Sequence, residues 1–195
     1  MAVGRPRTFD KEQALDRALN VFWEKGYEGA SIADLTAAMG INPPSLYAAF
    51  GNKEQLFRQV LDRYQASARQ VMEQAFAAAT AREAIRLLLQ GTVDRLSDQN
   101  NPEGCLLVSG ALSGDEACEA VKCELNQRRA ANEALIRDRL RRAKKDGDLP
   151  EAADPAALAR YITAVMQGMA VQAAGGAGRK ELRAIAELAL KAWPE

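Results

Sequence analysis

Residues 31–53 read SIADLTAAMGINPPSLYAAFGNK, and this stretch decides the fold. It predicts two short helices joined by a tight turn. Ser31 and Asn42 are typical residues at the start of a helix, and Gly40 between them is typical of a helix end. Pro43 and Pro44 fall in the first turn of the second helix, where a missing N–H is tolerated. Two short helices joined by a glycine turn form a helix-turn-helix.

The second helix of this motif has two different sides. Leu46 and Phe50 are four residues apart and predict a buried side. The opposite side is small or polar, which lets a helix lie close to a DNA groove, and its residues are Pro44, Ser45, Tyr47 and Ala48. Lys53 starts the next helix, where an ammonium beside a positive helix N-terminus suits a phosphate. The alternative is a plain helical hairpin, and spacing alone favours neither.

A short basic arm precedes the first helix. Arg5 and Arg7 flank Pro6, which keeps the segment extended. Extended arginine arms can enter a minor groove beside a helix-turn-helix, although termini are more often simply solvated. Because the motif follows directly, we favour DNA contact. The predicted DNA-binding residues are Arg5, Arg7, Ser31, Asn42, Pro44, Ser45, Tyr47 and Lys53.

Composition excludes several classes of protein. The chain has 195 residues, 48% of them hydrophobic but only 6% aromatic, and its formal net charge is zero. The sequence contains no histidine, which excludes histidine acid–base catalysis and histidine metal sites, so we expect no enzyme, metal or cofactor. The three cysteines form no CxxC pair. No apolar run reaches about 18 residues and no signal peptide opens the chain, so we expect a soluble cytoplasmic protein without a membrane partner.

Apolar residues recur at helical spacing through the rest of the chain. They predict an all-α protein of about nine helices with no strand. The first helix is expected from Asp10 to Lys25, ended by Gly26, and an uninterrupted helix from Asn52 to about Phe76. The later helices are expected at 80–96, 105–112, from Asp115 or Glu116 to about Lys145, from Asp154 onward, and at 179–193. We place the domain boundary inside the long helix, giving domains 1–55 and 56–195.

The residues from Phe9 to Phe57 resemble the DNA-binding domain of the TetR/AcrR family of repressors. The matching features are Ala18–Leu19 with Phe22, Gly26–Tyr27, Ser31–Ile32–Ala33, Gly40–Ile41, Ser45–Leu46–Tyr47, Phe50 and Lys53 to Phe57. Two places depart from the family pattern. Asn42–Pro43–Pro44 fills a segment in which the family usually has valine or isoleucine, then serine or alanine and a short variable pair. Ala49 stands where the family often has histidine.

The resemblance implies an N-terminal three-helix helix-turn-helix domain followed by a helical ligand-binding and dimerisation domain. Lys53 and Tyr47 would then contact DNA phosphates. The implied ligand-binding residues are Met72, Phe76, Leu107, Tyr161, Val165, Met166 and Met169. The last two helices would form a dimer interface, with Leu158, Ile162, Leu182, Ile185, Leu188 and Ala189 as its apolar residues.

The resulting prediction is a homodimeric repressor that binds a palindromic operator and is released by a small apolar or aromatic effector. One alternative is a repressor that senses oxidants or electrophiles through Cys105, although a free cysteine is more often a small buried hydrophobe. The other is an all-helical small-molecule-binding protein with a vestigial helix-turn-helix. Eight basic residues between Arg128 and Lys145 are interpreted as the solvated face of a helix rather than a second DNA site.

Overall fold

A computed structural model describes residues 9–112 and 119–194. The described residues form nine helices and no strand, which confirms the all-α fold. The helices are α1 (Lys11–Gly29), α2 (Ile32–Met39), α3 (Pro43–Phe50), α4 (Lys53–Phe76), α5 (Ala81–Leu96), α6 (Leu106–Leu112), α7 (Glu119–Lys145), α8 (Pro155–Ala174) and α9 (Arg179–Lys191). Within the described residues, none of these helices is both long and apolar enough to span a bilayer.

The chain divides into two compact units, the first ending at Ser67 and the second beginning at Ala68. The boundary between the two units falls inside α4, which is one continuous helix. The functional boundary between residues 55 and 56 stays a prediction.

The first unit packs α1, α2, α3 and the first part of α4 around a small aromatic and aliphatic core. Phe22 of α1 and Phe57 of α4 are fully buried, and their ring centroids lie 4.9 Å apart in an edge-to-face arrangement. Leu35 of α2 and Leu46 of α3 are also fully buried. Because α2 and α3 are only eight residues each, this burial, rather than helix propensity, must hold them in place.

The second unit is a bundle of the remaining helices. Helix α7 packs on α8 and α6, while α5 packs on α8 and α9. Gly91 allows α5 to lie close to α4, because a Cβ at this position would be 2.4 Å from a methyl carbon of Val71 in α4. The fully buried side chains of the unit include Ile85, Leu89, Leu125, Ile136 and Leu140.

Two helix ends differ from those predicted. Helix α1 extends past Lys25 to Gly29, because Gly26 adopts φ 71° and ψ 175° and the helix resumes after this kink. Helix α9 ends at Lys191 rather than Trp193. The predicted start of α7 at Asp115 or Glu116 lies outside the described residues.

One of the eight basic residues on α7 is buried, which corrects their interpretation as a uniformly solvated face. Arg139 is only 8% exposed. Its Nε donates to the carbonyl of Phe76 at 3.2 Å and its Nη2 to the carbonyl of Ala78 at 2.9 Å. These carbonyls lie at and just beyond the end of α4, where backbone acceptors lack helical partners. Arg139 therefore caps α4 from another helix.

Candidate nucleic-acid interface

The turn between α2 and α3 is fixed by side-chain caps at the start of both helices. The Ser31 hydroxyl accepts from the Asp34 N–H at 3.1 Å, and the Asp34 carboxylate accepts from the Ser31 N–H at 3.1 Å. This reciprocal pair is a capping box with aspartate in the usual place of glutamate. Gly40 ends α2 with φ 68°, a conformation that a side chain would strain. The Asn42 side chain then accepts from the Ser45 N–H at 2.9 Å and starts α3.

The two sides of α3 lie as predicted from the sequence. Leu46 is fully buried and Phe50 is 3% exposed, so one side is anchored in the core. Tyr47 is 51% exposed, which is unusual for a large aromatic side chain. The remaining outward residues are Pro43, Pro44 and Ala48, with Ser45 half-buried beside them. Helix α3 therefore presents mostly small side chains on its outward side, together with one large hydroxyl-bearing ring.

Lys53 lies at the first position of α4, and Asn52 caps this helix. The Asn52 side chain accepts from the Gln55 N–H at 2.8 Å, and the Gln55 side chain accepts from the Asn52 N–H at 3.0 Å. The Lys53 ammonium lies 4.5 Å from the centre of the Tyr27 ring and donates to the Glu28 carbonyl at 3.4 Å. A positive charge therefore lies beside a positive helix end, an arrangement that attracts anions.

An ion pair supports the capping box at the start of α2. Lys25 Nζ lies 2.7 Å from Asp34 Oδ1. The Ser31 hydroxyl donates to Asp34 Oδ2 at 2.7 Å. The hydrogen bond from Lys25, and then those from Ser31, hold the pKa of Asp34 well below its usual range. Asp34 is therefore ionised at neutral pH, as a cap near a helix N-terminus requires.

A second ion-pair cluster joins α1 to α4 within the first unit. Arg63 Nε and Nη2 donate to the two carboxylate oxygens of Asp16 at 2.9 and 3.1 Å, and Nη1 donates to Glu12 at 3.2 Å. The bidentate geometry fixes the guanidinium plane. The sequence gives no local signal for this contact, because Asp16 and Arg63 are 47 residues apart.

The predicted DNA-binding residues fall into three groups. Pro44, Ser45, Tyr47 and Lys53 lie on α3 or at the start of α4, as expected. Ser31 and Asn42 are exposed, but the Ser31 hydroxyl already donates to Asp34 and the Asn42 oxygen already accepts from Ser45, so both have a capping role. Arg5 and Arg7 lie outside the described residues. Sequence reasoning missed Tyr27, whose ring contact with Lys53 crosses from α1 to α4.

The predicted ligand-binding residues do not share one environment. Met72, Leu107 and Met169 are buried, whereas Phe76, Val165 and Met166 are half-buried. Tyr161 of α8 is 40% exposed. Phe76 lines a cavity of about 220 Å³ together with Arg139, Arg142, Asp146 and Asp148. Charged and polar groups dominate this cavity, which differs from the apolar lining expected.

The predicted dimer residues also differ in how exposed they are. Ile162, Leu182 and Ala189 are buried, so their side chains pack inside their own unit. Leu158 and Ile185 are half-buried, and Leu188 is 62% exposed. Three of the exposed large hydrophobic side chains of the described residues lie on the last two helices: Tyr161, Val171 and Leu188.

Cys105 is buried, with 8% exposure, just before α6. Cys123 is exposed on α7, where its sulfur accepts a hydrogen bond from Gln127 at 3.3 Å. Within the described residues, no group of three or more histidine, cysteine, aspartate or glutamate side chains has the arrangement of a metal site.

An N-terminal helix-turn-helix unit joined through one long helix to a helical bundle defines a class of bacterial DNA-binding regulators. Residues 14–60 match the family model described as bacterial regulatory proteins, tetR family. Residues 81–186 match the tetracyclin repressor-like C-terminal domain. The chain belongs to the TetR family, which confirms the resemblance inferred from the sequence.

Two curated relatives and two solved structures resemble the whole chain. The HTH-type transcriptional repressor ComR of Escherichia coli (strain K12) is 33% identical over 98% of this chain and 92% of ComR. The repressor BdcR of the same organism is 32% identical, over 95% of this chain and 90% of BdcR.

Among solved structures, a cysteine mutant of the TetR family regulator CifR, in complex with a 26-base-pair operator DNA, is 46% identical. It has a TM-score of 0.93 and covers 97% of this chain and 100% of its own. A putative TetR regulator from Rhodococcus sp. RHA1 is 42% identical with a TM-score of 0.65, covering 95% of this chain and 100% of its own.

Proposed function

We propose that this protein is a homodimeric transcriptional repressor that binds a palindromic operator and is released by a small-molecule effector. The observation that carries the proposal is the outward surface of α3, where Pro44, Tyr47 and Ala48 are exposed while Leu46 and Phe50 anchor the helix. A helix anchored on one side, with mostly small side chains on the other, suits a major groove. Family membership and the repressor relatives ComR and BdcR support the same function.

The positions of the α3 side chains and of Lys53 support a proposal for the individual DNA contacts. The Tyr47 hydroxyl and the Lys53 ammonium contact phosphates, while Pro44, Ser45 and Ala48 lie nearest the base edges. For Arg5 and Arg7, which lie outside the described residues, the proposal of a minor-groove contact rests on the sequence alone. Phosphate contacts set the register of the protein on the duplex, and base contacts provide sequence preference.

The operator contacts are tested with Lys53→Ala. Gel shift with DNA from upstream of the protein's own coding region identifies a bound duplex, and titrations at several salt concentrations give the affinity. We expect Lys53→Ala to weaken binding to all duplexes alike and to lower the salt slope by about one, because one phosphate contact is lost. Lys145→Ala removes one positive charge from α7 and serves as the matched control. A change of base preference with an intact salt slope would contradict the assignment.

We place the dimer interface on the outward sides of α8 and α9. Tyr161, Val171 and Leu188 are the exposed large hydrophobic residues there. The exposed residues of α8 follow helical spacing, and the small ones, which let another helix approach closely, are Ala157, Ala164 and Gly168. The recognition helix of each protomer is α3. Two recognition helices must lie roughly 34–36 Å apart to enter successive major grooves, so the dimer interface, which sets this distance, determines whether the dimer fits its operator.

The effector acts through α4. This helix begins at Lys53, beside the recognition helix, and ends at Phe76 in the second unit. A small apolar or aromatic molecule bound among the buried side chains of Met72, Leu107 and Met169 would shift α4 and change the spacing of the recognition helices. Release requires that the effector binds the widely spaced state more tightly. Cys105 is buried, whereas reactive thiols are normally accessible, which argues against the alternative of thiol sensing.

A further inference from the structure

The turn after Gly26 brings an aromatic ring from α1 to the start of α4. Gly26 adopts φ 71° and ψ 175°, so the chain changes direction immediately before Tyr27. The Tyr27 ring is half-buried, with one side in the core of the first unit. Its position is therefore set by a backbone turn that a residue with a side chain adopts only with strain.

Two buried rings hold the orientation of Tyr27. Its centroid lies 5.0 Å from that of Phe57 and 6.2 Å from that of Phe22, to which it is nearly parallel. Phe22 and Phe57 are both fully buried, so they cannot rotate away without disturbing the core. Tyr27 is consequently a rigid platform rather than a mobile surface side chain.

Lys53 lies on this platform. Lys53 and Phe57 are four residues apart and so share one face of α4. The Lys53 ammonium lies 4.5 Å from the Tyr27 ring centroid and 3.4 Å from the Glu28 carbonyl oxygen. The electron-rich ring face and a carbonyl near the end of α1 both attract a cation. Lys53 is half-buried, so part of this residue stays open to solvent.

We propose that Tyr27 is a positioning residue for the operator contact of Lys53, and that it holds the ammonium at the phosphate without touching DNA itself. This inference rests on the proposed function. A free lysine has a flexible stem with many rotamers, and ordering it at a phosphate opposes binding. The Tyr27 ring and the Glu28 carbonyl order the stem before DNA arrives. The three N–H donors of the ammonium allow a phosphate contact while the ring contact persists.

A double-mutant cycle tests the inference, with operator affinity measured by fluorescence anisotropy at several salt concentrations. Tyr27→Leu removes the ring, and we expect a loss of affinity of about two- to fivefold, the range of an exposed cation–π contact. The salt slope should stay unchanged, since Lys53 still reaches its phosphate. In the Lys53→Ala background, Tyr27→Leu should have no further effect. Tyr27→Phe keeps the ring and should bind nearly as tightly as the wild type.

Three results would overturn the inference: an equal loss from Tyr27→Leu in both backgrounds, no loss at all, or tighter binding. The first would mean that Tyr27 only supports the core. The last would mean that the ring competes with DNA for the ammonium. If the wild type binds no duplex, the proposed function itself fails, which is distinguishable from these outcomes.

A measurement on the wild type covers the case in which Tyr27→Leu does not fold. The ε-methylene protons of Lys53 should show an upfield ring-current shift in the free protein. This shift should persist when the operator is added. A return to the shift of an unperturbed lysine on DNA binding would contradict the inference.

Discussion

At the scale of single residues, the ionisation of Asp34 contributes to the stability of the helix-turn-helix. Asp34 caps α2, accepts from Ser31 and pairs with Lys25, and these contacts lower its pKa. A carboxylate whose pKa is lowered in the folded state stabilises that state at pH values above its pKa in the unfolded chain, which is about 3.9. This stabilisation is lost as the pH falls from there through the lower folded value, because the unfolded chain binds the proton first.

Asp34→Asn removes the charge and should therefore destabilise the protein at pH 7. The difference in free energy of unfolding between variant and wild type should shrink as the pH falls below about 4. Urea unfolding at pH 7 and at several acidic values measures this difference. Asp138→Asn, which removes an exposed carboxylate on α7, is the control. A difference that stays constant with pH would show that the charge of Asp34 does not contribute.

At the scale of helices, the end of α4 depends on one side chain from α7. Arg139 donates to the carbonyls of Phe76 and Ala78, and it is 8% exposed. Removing these donors leaves two partly buried acceptors without this partner, which costs about 1–3 kcal/mol. The contact also bears on the proposed release mechanism, since an effector that moved α4 would either carry this end of the helix along or break the cap.

Arg139→Met keeps most of the volume of the side chain and removes its donors. We expect its free energy of unfolding to fall by about 1–3 kcal/mol. Arg142→Met, an exposed arginine one turn further along α7, should change stability by no more than about 0.5 kcal/mol. Chemical unfolding followed by circular dichroism compares the two, and equal losses from both variants would refute the capping role.

Helix positions were predictable where the signal is local, and the contacts between helices were not. Ser31, Asn42 and Asp154 each cap the helix that the sequence predicted to begin there. Arg139 looked like its solvated neighbours, because its partners lie 61 and 63 residues away in the chain. Similarly, the apolar spacing of α8 and α9 identified Ile162 and Leu188 alike. Only the packed structure separates the buried residue from the exposed one.

At the scale of the whole molecule, the proposed dimer would decide whether two copies of α3 act together on one operator. Leu188 is the best probe, because it is 62% exposed and its replacement leaves the core of the chain intact. Leu188→Glu should give a folded monomer that no longer binds the operator. Leu135→Glu, which changes a 45% exposed leucine on α7, is the matched control and should remain dimeric. Analytical ultracentrifugation reports the mass, and circular dichroism reports the helix content.

Two outcomes would contradict the proposed dimer. A wild-type protein that sediments as a monomer and still binds its operator tightly would exclude it. A Leu188→Glu variant that remains dimeric would instead move the interface away from the exposed side of α9.

The two prolines that begin α3 have a further consequence for how an operator is selected. Pro43 and Pro44 have no N–H, so the start of the recognition helix lacks two of the backbone donors that such an end normally presents. Its outward surface is mostly hydrocarbon. We therefore expect selectivity to come from contact with thymine methyl groups and from the local width and flexibility of the duplex, with few hydrogen bonds to base edges. Each half-site would then discriminate weakly, and symmetry between the two half-sites would supply the rest.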